Sequence, residues 1–271
     1  MIQRLIVTII LTPLGLYAIY LGGWAYGLTA AVLVGIAAWE YVQLSKAAGH
    51  RPSQVLVIGG VLLLLLQRGL NGFEYEPFVL GLLILIAFAY HMLMYERGRD
   101  QAVTDMGMTL LGILYLGWIG SFLLSLRALP DGQWWTLIIL PAVWLADSGA
   151  YWVGKNFGKH LLSPRLSPKK TWEGYWGGAA FGTLTTWLLS FAWQAGAGPG
   201  SEITPLRALL LGLAMGLLPT LGDLAESMIK RSAGVKDSGT LLPGHGGAFD
   251  RIDSWLWAGV IGYYLITWLW I

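Results

Sequence analysis

Cysteine is absent from this 271-residue chain, and charge is scarce. Without thiols there is no disulfide scaffold and no cysteine nucleophile, and the redox compartment stays undetermined. Charged residues make up 12%, about half the share of an ordinary soluble domain. The 17 Lys and Arg nearly balance 15 Asp and Glu, for a net charge of +2. Such a chain is neither disordered nor a nucleic-acid binder with a large basic excess. What is plentiful is apolar surface: 56% hydrophobic residues and a mean hydropathy of +0.61. These values point to a polytopic membrane protein. The 15 Trp and 12 Tyr suit many helix ends at the membrane–water boundary.

A helix needs about 20 mostly apolar residues to cross a bilayer. Nine stretches qualify, roughly 5–22, 24–44, 54–70, 77–95, 105–126, 134–153, 174–195, 205–222 and 255–271. They are continuous rather than alternating, which excludes a β-barrel pattern. The first follows Arg4 but lacks a small-residue cleavage site, so it reads as a retained helix. With the N-terminus in the cytoplasm and alternating crossings, the outside receives only Arg68, Arg127 and Arg207. Every other cation falls inside, as the positive-inside rule requires. The expected fold is an all-α integral membrane protein with about nine transmembrane helices. Residues 1–133 read as scaffold helices and 134–271 as the catalytic region. Two long polar cytoplasmic loops, 154–173 and 223–254, lie in that C-terminal half. No internal repeat or low-complexity tract is visible.

The chemistry is concentrated in and beside those loops. Asp223, Glu226, Ser227 and Lys230 fall at i, i+3, i+4 and i+7, on one face if the eighth helix continues past the membrane edge. Glu226–Lys230 reads equally well as a solvated i,i+4 pair. Asp223 abuts an apolar run, where a carboxylate is expensive unless paired or bound to a cation. Pro219 is placed to bend the helix just before it. Downstream, four glycines and Pro243 fold the segment from Lys236 and Asp237 through His245, Gly246 and Gly247 into a sharp loop. Glycine lets backbone N–H groups approach an anion closely. Asp250 and Asp253 follow near the start of the last helix, where acidic residues also favour the helix dipole.

Carboxylates without cysteine and with few histidines favour hard Mg²⁺ over zinc. Of the four histidines, only His245 lies in a charged, glycine-rich loop; His50, His91 and His160 read as interfacial or packing residues. The loop from Lys155 to Gly174 carries Lys155, Lys159, Arg165, Lys169 and Lys170 with two Ser-Pro turns. It suits phosphates as a basic clamp or anionic lipid heads as ordinary positive-inside charge. Gly149 to Lys155 imitates the start of a nucleotide P-loop, but Asn156 replaces the required hydroxyl and no strand precedes it. Asp147, inside the sixth apolar stretch, is a functional candidate by its position; Glu40, close to the interface, reads as structural. Gly23-xxx-Gly27, Gly178-xxx-Gly182 and Gly212-xxx-Gly216 permit close helix contacts.

The segment from Ser227 to Asp253, with Ile229-Lys230-Arg231, Lys236-Asp237-x-Gly239, Leu242-Pro243-x-His245-Gly246-Gly247 and Asp250-Arg251-Ile252-Asp253, resembles the signature of phosphatidate cytidylyltransferases, or CDP-diacylglycerol synthases. Asp147-x2-Ala150-Tyr151-x2-Gly154-Lys155 and Ser167-Pro168-Lys169-Lys170-Thr171-x-Glu173-Gly174 are similar to that family as well. Ala248 departs from it, standing where a larger aliphatic is usual. The resemblance implies CMP transfer from CTP to phosphatidate on the cytoplasmic side of the inner membrane, by a homodimer. It implies Mg²⁺, with K⁺ as a candidate second ion, held by Asp223 and Asp250. Lys169, Lys170, Lys230, Arg231, Lys236 and Arg251 are then expected as cations around the phosphates. His245, Ser227, Gly246 and Gly247 are expected to donate hydrogen bonds. Asp147, Glu226 and Asp237 are expected to orient the cations, and Asp253 to hold Arg251 or a second ion. The alternatives are a CTP-dependent lipid-alcohol kinase, a secondary transporter coupled through Asp147 and Asp223, and a lipid-binding scaffold.

Overall fold

The computed structural model describes residues 2–198, 200–240 and 246–271. The chain is almost entirely helical: α1 Ile2–Leu21, α2 Gly23–Ala47, α3 Gln54–Asn71, α4 Glu76–Glu96, α5 Ala102–Gly112, a π-helical stretch Ile113–Trp118, α6 Ile119–Ala128 and α7 Gly132–Phe157. Then come strands β1 Leu161–Ser163 and β2 Ser167–Thr171, and helices α8 Trp172–Ala197, α9 Pro205–Leu217, α10 Thr220–Ser232 and α11 Phe249–Leu269. Among the described residues, six helical stretches are long and apolar enough to cross a bilayer: Gly23–Ala47, Gln54–Asn71, Glu76–Glu96, Ala102–Ala128, Gly132–Phe157 and Pro205–Ser232. The protein is thus an all-α membrane protein. Of the nine expected spans, those at α1, α8 and α11 are not among these six.

The chain forms two compact units. The first comprises Met1–Ser125 and Met228–Ile252, the second Leu126–Ser227 and Asp253–Ile271. In the first, α2, α3, α4, α5 and the π-helical stretch pack around Leu64, Leu83 and Ile113. Arg68 is buried there against Glu76 and Ser125, with its guanidinium 3.7 Å from the Phe73 ring centre. Burying that charge is tolerable because it is paired, hydrogen-bonded and stacked.

In the second unit, α8 packs against both α7 and α9. Small residues allow the approach. A Cβ on Gly178 would meet the Ala146 carbonyl at 2.6 Å, and one on Gly216 would meet the Ala179 backbone at 2.8 Å. Two of the small-residue patterns in the sequence therefore join helices of one chain. Of the glycines of the P-loop look-alike, Gly149 does the same against Phe181 of α8, and Gly154 lets α7 approach Thr171 at the end of β2. Pro219 does more than bend the eighth stretch. The helix stops at Leu217 and restarts at Thr220, since proline offers no N–H to continue the ladder. The polar loop expected over 154–173 is largely ordered: α7 runs on to Phe157, and an antiparallel hairpin pairs Leu161 with Thr171 and Ser163 with Ser167.

Candidate active site

The hairpin delivers the basic loop's charges to defined places. Its base is pinned by Glu173, which accepts from the Lys159 amide (3.0 Å), the His160 amide (3.2 Å) and His160 Nδ1 (2.6 Å). These donors, the Lys159 amide foremost, bring the Glu173 carboxyl down to about 2. His160 is thus a hairpin clamp rather than a packing residue. The Thr171 hydroxyl accepts from the Gly174 amide and caps α8. Along β2, Lys169 is exposed, while Lys170 is half-buried and ion-pairs with Asp223.

Asp223 lies in the first turn of α10. That helix is continuous through Ser232, so the expected face of Asp223, Glu226, Ser227 and Lys230 exists. Glycine at 222 brings α10 against α11: a Cβ there would meet the Asp253 carbonyl at 2.6 Å and the Trp257 ring at 2.7 Å. As a result one carboxylate oxygen from each of Asp223, Glu226 and Asp253 lies within 4.8 Å of the others. Glu226 and Asp253 are buried and Asp223 half-buried. At that separation each pair of carboxylates repels by about 3–4 kcal/mol at an effective dielectric near 20. Hard oxygen donors at this spread fit a Mg²⁺ shell completed by water or phosphate. Asp253, expected to hold Arg251 or a second ion, lies in this carboxylate cluster. Asp147 is exposed on α7 and Ser227 is buried on α10.

Asp250 belongs to the first unit and is surrounded by donors. Lys230 Nζ reaches its Oδ1 at 2.6 Å. Its Oδ2 accepts from the Ser238 amide (2.8 Å), the Ser238 hydroxyl (2.8 Å) and the Gly247 amide (2.9 Å). Burial raises this carboxyl, but Lys230 and the Gly247 and Ser238 amides outweigh it and hold the group below the usual carboxylate range. The Gly247 amide, expected to meet a substrate anion, thus meets an internal one. The Gly246 backbone has φ +80°, and a Cβ there would meet Asp250 Oδ2 at 2.7 Å, so a side chain is excluded on both counts. Arg231, Lys236, Asp237 and Arg251 are exposed; His245 lies outside the described residues.

Three contributors escaped the sequence reading: Glu173, Ser238 and Glu40, whose carboxylate accepts from the Ala248 and Phe249 amides. A signal for Glu40 was present, since a carboxylate inside an apolar stretch is a functional candidate on the same grounds as Asp147.

The family model for the cytidylyltransferase family matches residues 2–269. The chain is 36% identical to a phosphatidate cytidylyltransferase of Pseudomonas aeruginosa, over 98% of this chain and 96% of that one. It is 33% identical to one of Synechocystis sp., over 98% and 96%. It is 29% identical to one of Bacillus subtilis, over 98% and 97%. A match running nearly from end to end is not a shared loop on unrelated scaffolds, and the chain belongs to the cytidylyltransferase family.

Proposed function

We propose that the protein transfers CMP from CTP to phosphatidate, giving CDP-diacylglycerol and pyrophosphate in membrane phospholipid synthesis. The observation that carries this reading is the near end-to-end likeness to phosphatidate cytidylyltransferases. A phosphate oxygen of the lipid forms a bond to the α-phosphorus of CTP, and the bond from that phosphorus to the bridging oxygen breaks as pyrophosphate leaves. A phosphate monoester dianion is already nucleophilic at neutral pH, so the residues have no proton to abstract. Their work is positioning and charge neutralisation.

Asp223, Glu226 and Asp253 supply the oxygens for Mg²⁺, which when bound neutralises phosphate oxygens and favours departure of pyrophosphate. The resemblance adds Asp250, whose Oδ1 keeps a lone pair beyond its Lys230 bond, and K⁺ as a second ion. Lys170, resting on Asp223, moves its charge to the triphosphate as CTP arrives. The exposed Lys169, Arg231, Lys236 and Arg251 meet phosphate groups. Asp147 and Asp237 orient those cations, and Ser227 and His245 donate hydrogen bonds. Nine crossings, a cytoplasmic N-terminus, an active site on the cytoplasmic face of the inner membrane and a homodimer complete the proposal. The one-sided distribution of cations supports the orientation.

The test is an assay of purified protein in detergent with phosphatidate, CTP and Mg²⁺. Pyrophosphate and a liponucleotide are expected in equal amounts. CDP without pyrophosphate would mark γ-phosphate transfer to a lipid alcohol instead. Neither product, from protein that binds lipid normally, would overturn the reading.

A further inference from the structure

Glu40 is fully buried in α2, within an otherwise apolar stretch. A carboxylate there is costly unless donors surround it. Its donors come from some 200 residues away in the sequence. Oε1 accepts from the Ala248 amide at 3.0 Å, and Oε2 from the Phe249 amide at 2.8 Å. Oε2 also lies 3.0 Å from the Ser238 hydroxyl. Ala248 and Phe249 open α11, so their N–H groups have no partner within that helix. A carboxylate at this end also meets the positive pole of the helix dipole. The Ser238 oxygen lies between Glu40 and Asp250 and has one proton for two carboxylates.

The neighbouring glycines record the same contact. A Cβ on Gly239 would stand 2.5 Å from Glu40 Oε1, and one on Gly247 would collide with both Glu40 oxygens and Ser238. These glycines make room for a carboxylate of the protein itself. A second scaffold contact supports the first: the Tyr115 ring, from the π-helical stretch, meets Phe249 edge-on with centres 6.3 Å apart. π-Helical turns inside α-helices are frequent at functional sites.

We propose that Glu40 is a positioning residue for the reaction, a statement that rests on the function proposed above. It shapes the glycine-rich loop and the first turn of α11, and through Ser238 and the Ala248–Phe249 amides it sets where Asp250 and Arg251 stand. It touches no substrate.

The test uses the full chain in detergent. Glu40→Gln keeps the length of the side chain but leaves one acceptor oxygen, so one α11 amide loses its partner. Loss of a hydrogen bond to a charged group predicts a fall in kcat of about 10- to 100-fold. Hydrogen exchange at the Gly247–Asp250 amides should quicken by about the same factor, with α3 and α4 unchanged. The exchange readout needs no turnover, so it tests the contact even if the assigned reaction is wrong.

A second arm separates positioning from general support of the fold. Gly239→Ala alone should cut kcat, because its Cβ displaces the carboxylate. Glu40→Asp draws that carboxylate back by roughly one bond length, about 1.5 Å. The double variant should therefore be about as active as Glu40→Asp alone, a non-additive result. Losses that multiply, or Glu40→Gln exchange indistinguishable from wild type, would overturn the proposal.

Discussion

Asp250 in the first unit and Asp223 in the second each sit beside a lysine, yet their surroundings differ. Asp250 takes Lys230, two amides and a hydroxyl on its two oxygens. Nearby, in the same unit, Glu40 takes two amides and shares that hydroxyl. Around Asp223 the convergence is of like charge: Glu226 and Asp253 crowd it, and Lys170 pairs with it from a half-exposed position. A carboxylate supplied with internal donors fixes the shape of the backbone around it. A carboxylate set against other carboxylates is stabilised by a cation brought from outside. The contrast supports the proposal that the Asp223 cluster takes up an ion, while Asp250, beyond the oxygen the resemblance assigns it, also organises a loop.

The harshest test is to remove Asp223. In Asp223→Ala, pyrophosphate release should fall by at least about 10³-fold, with the thermal unfolding midpoint close to wild type. A rate near wild type would take Asp223 out of the centre and dissolve the comparison.

Next in size is a pair of lysine substitutions. Lys230→Met strips a buried partner from Asp250 and should destabilise the protein by about 3–5 kcal/mol. The side chains of this pair are 10% and 7% exposed, against 28% for each partner of Lys170–Asp223. Lys170→Met should therefore cost only about 0–1 kcal/mol, although its rate falls if Lys170 serves the triphosphate. Equal stability losses, by unfolding in detergent, would erase the distinction between the two clusters.

Smaller again is the effect of trimming charge at the ion. Glu226→Gln or Asp253→Asn should raise the Mg²⁺ concentration for half-maximal rate by roughly 10- to 100-fold. Chelation should abolish turnover, and Mg²⁺ should restore it. Glu40→Gln should leave that Mg²⁺ concentration where it was. If it shifts as far as in Asp253→Asn, the division of labour is wrong.

The sequence made one kind of contact legible and hid the other. Spacing along a helix put Asp223, Glu226 and Ser227 on one face, and α10 is continuous enough for that face to form. Small-residue patterns foretold close packing, which α7, α8 and α9 realise within the chain. The hairpin was hidden because strands of three and five residues are too short for an alternating pattern to emerge from a Ser-Pro-rich loop. Glu40 was hidden because its partners lie 198 to 209 residues away. No local period encodes such a contact, and the glycines that accommodate it look like glycines that would accommodate a phosphate. Burial and the donors at Ser238, Ala248 and Phe249 together identify Glu40 as more than an interfacial acid.

Glu173 provides the finest test, because it is a donor-rich carboxylate located in the second unit. If the supply of donors, rather than the unit, decides what a carboxylate does, Glu173 should behave as a shaper of backbone and be insensitive to Mg²⁺. Its folded value of about 2 lies below the ordinary 4.5. The stabilisation it gives the hairpin is therefore complete above about 4.5 and drains away as pH falls through 2, when the carboxyl takes up a proton. Between about pH 5 and 4.5 the Lys159 and His160 amides should keep constant NMR shifts and constant hydrogen-exchange protection. Both should then change together on acidification, with a midpoint near 2. Glu173→Gln should remove that transition and loosen the hairpin at neutral pH. A midpoint at the unperturbed 4.5 would mean that the three donors do not hold this carboxylate in solution. A midpoint that moves with added Mg²⁺ would place Glu173 with the ion-holding group instead.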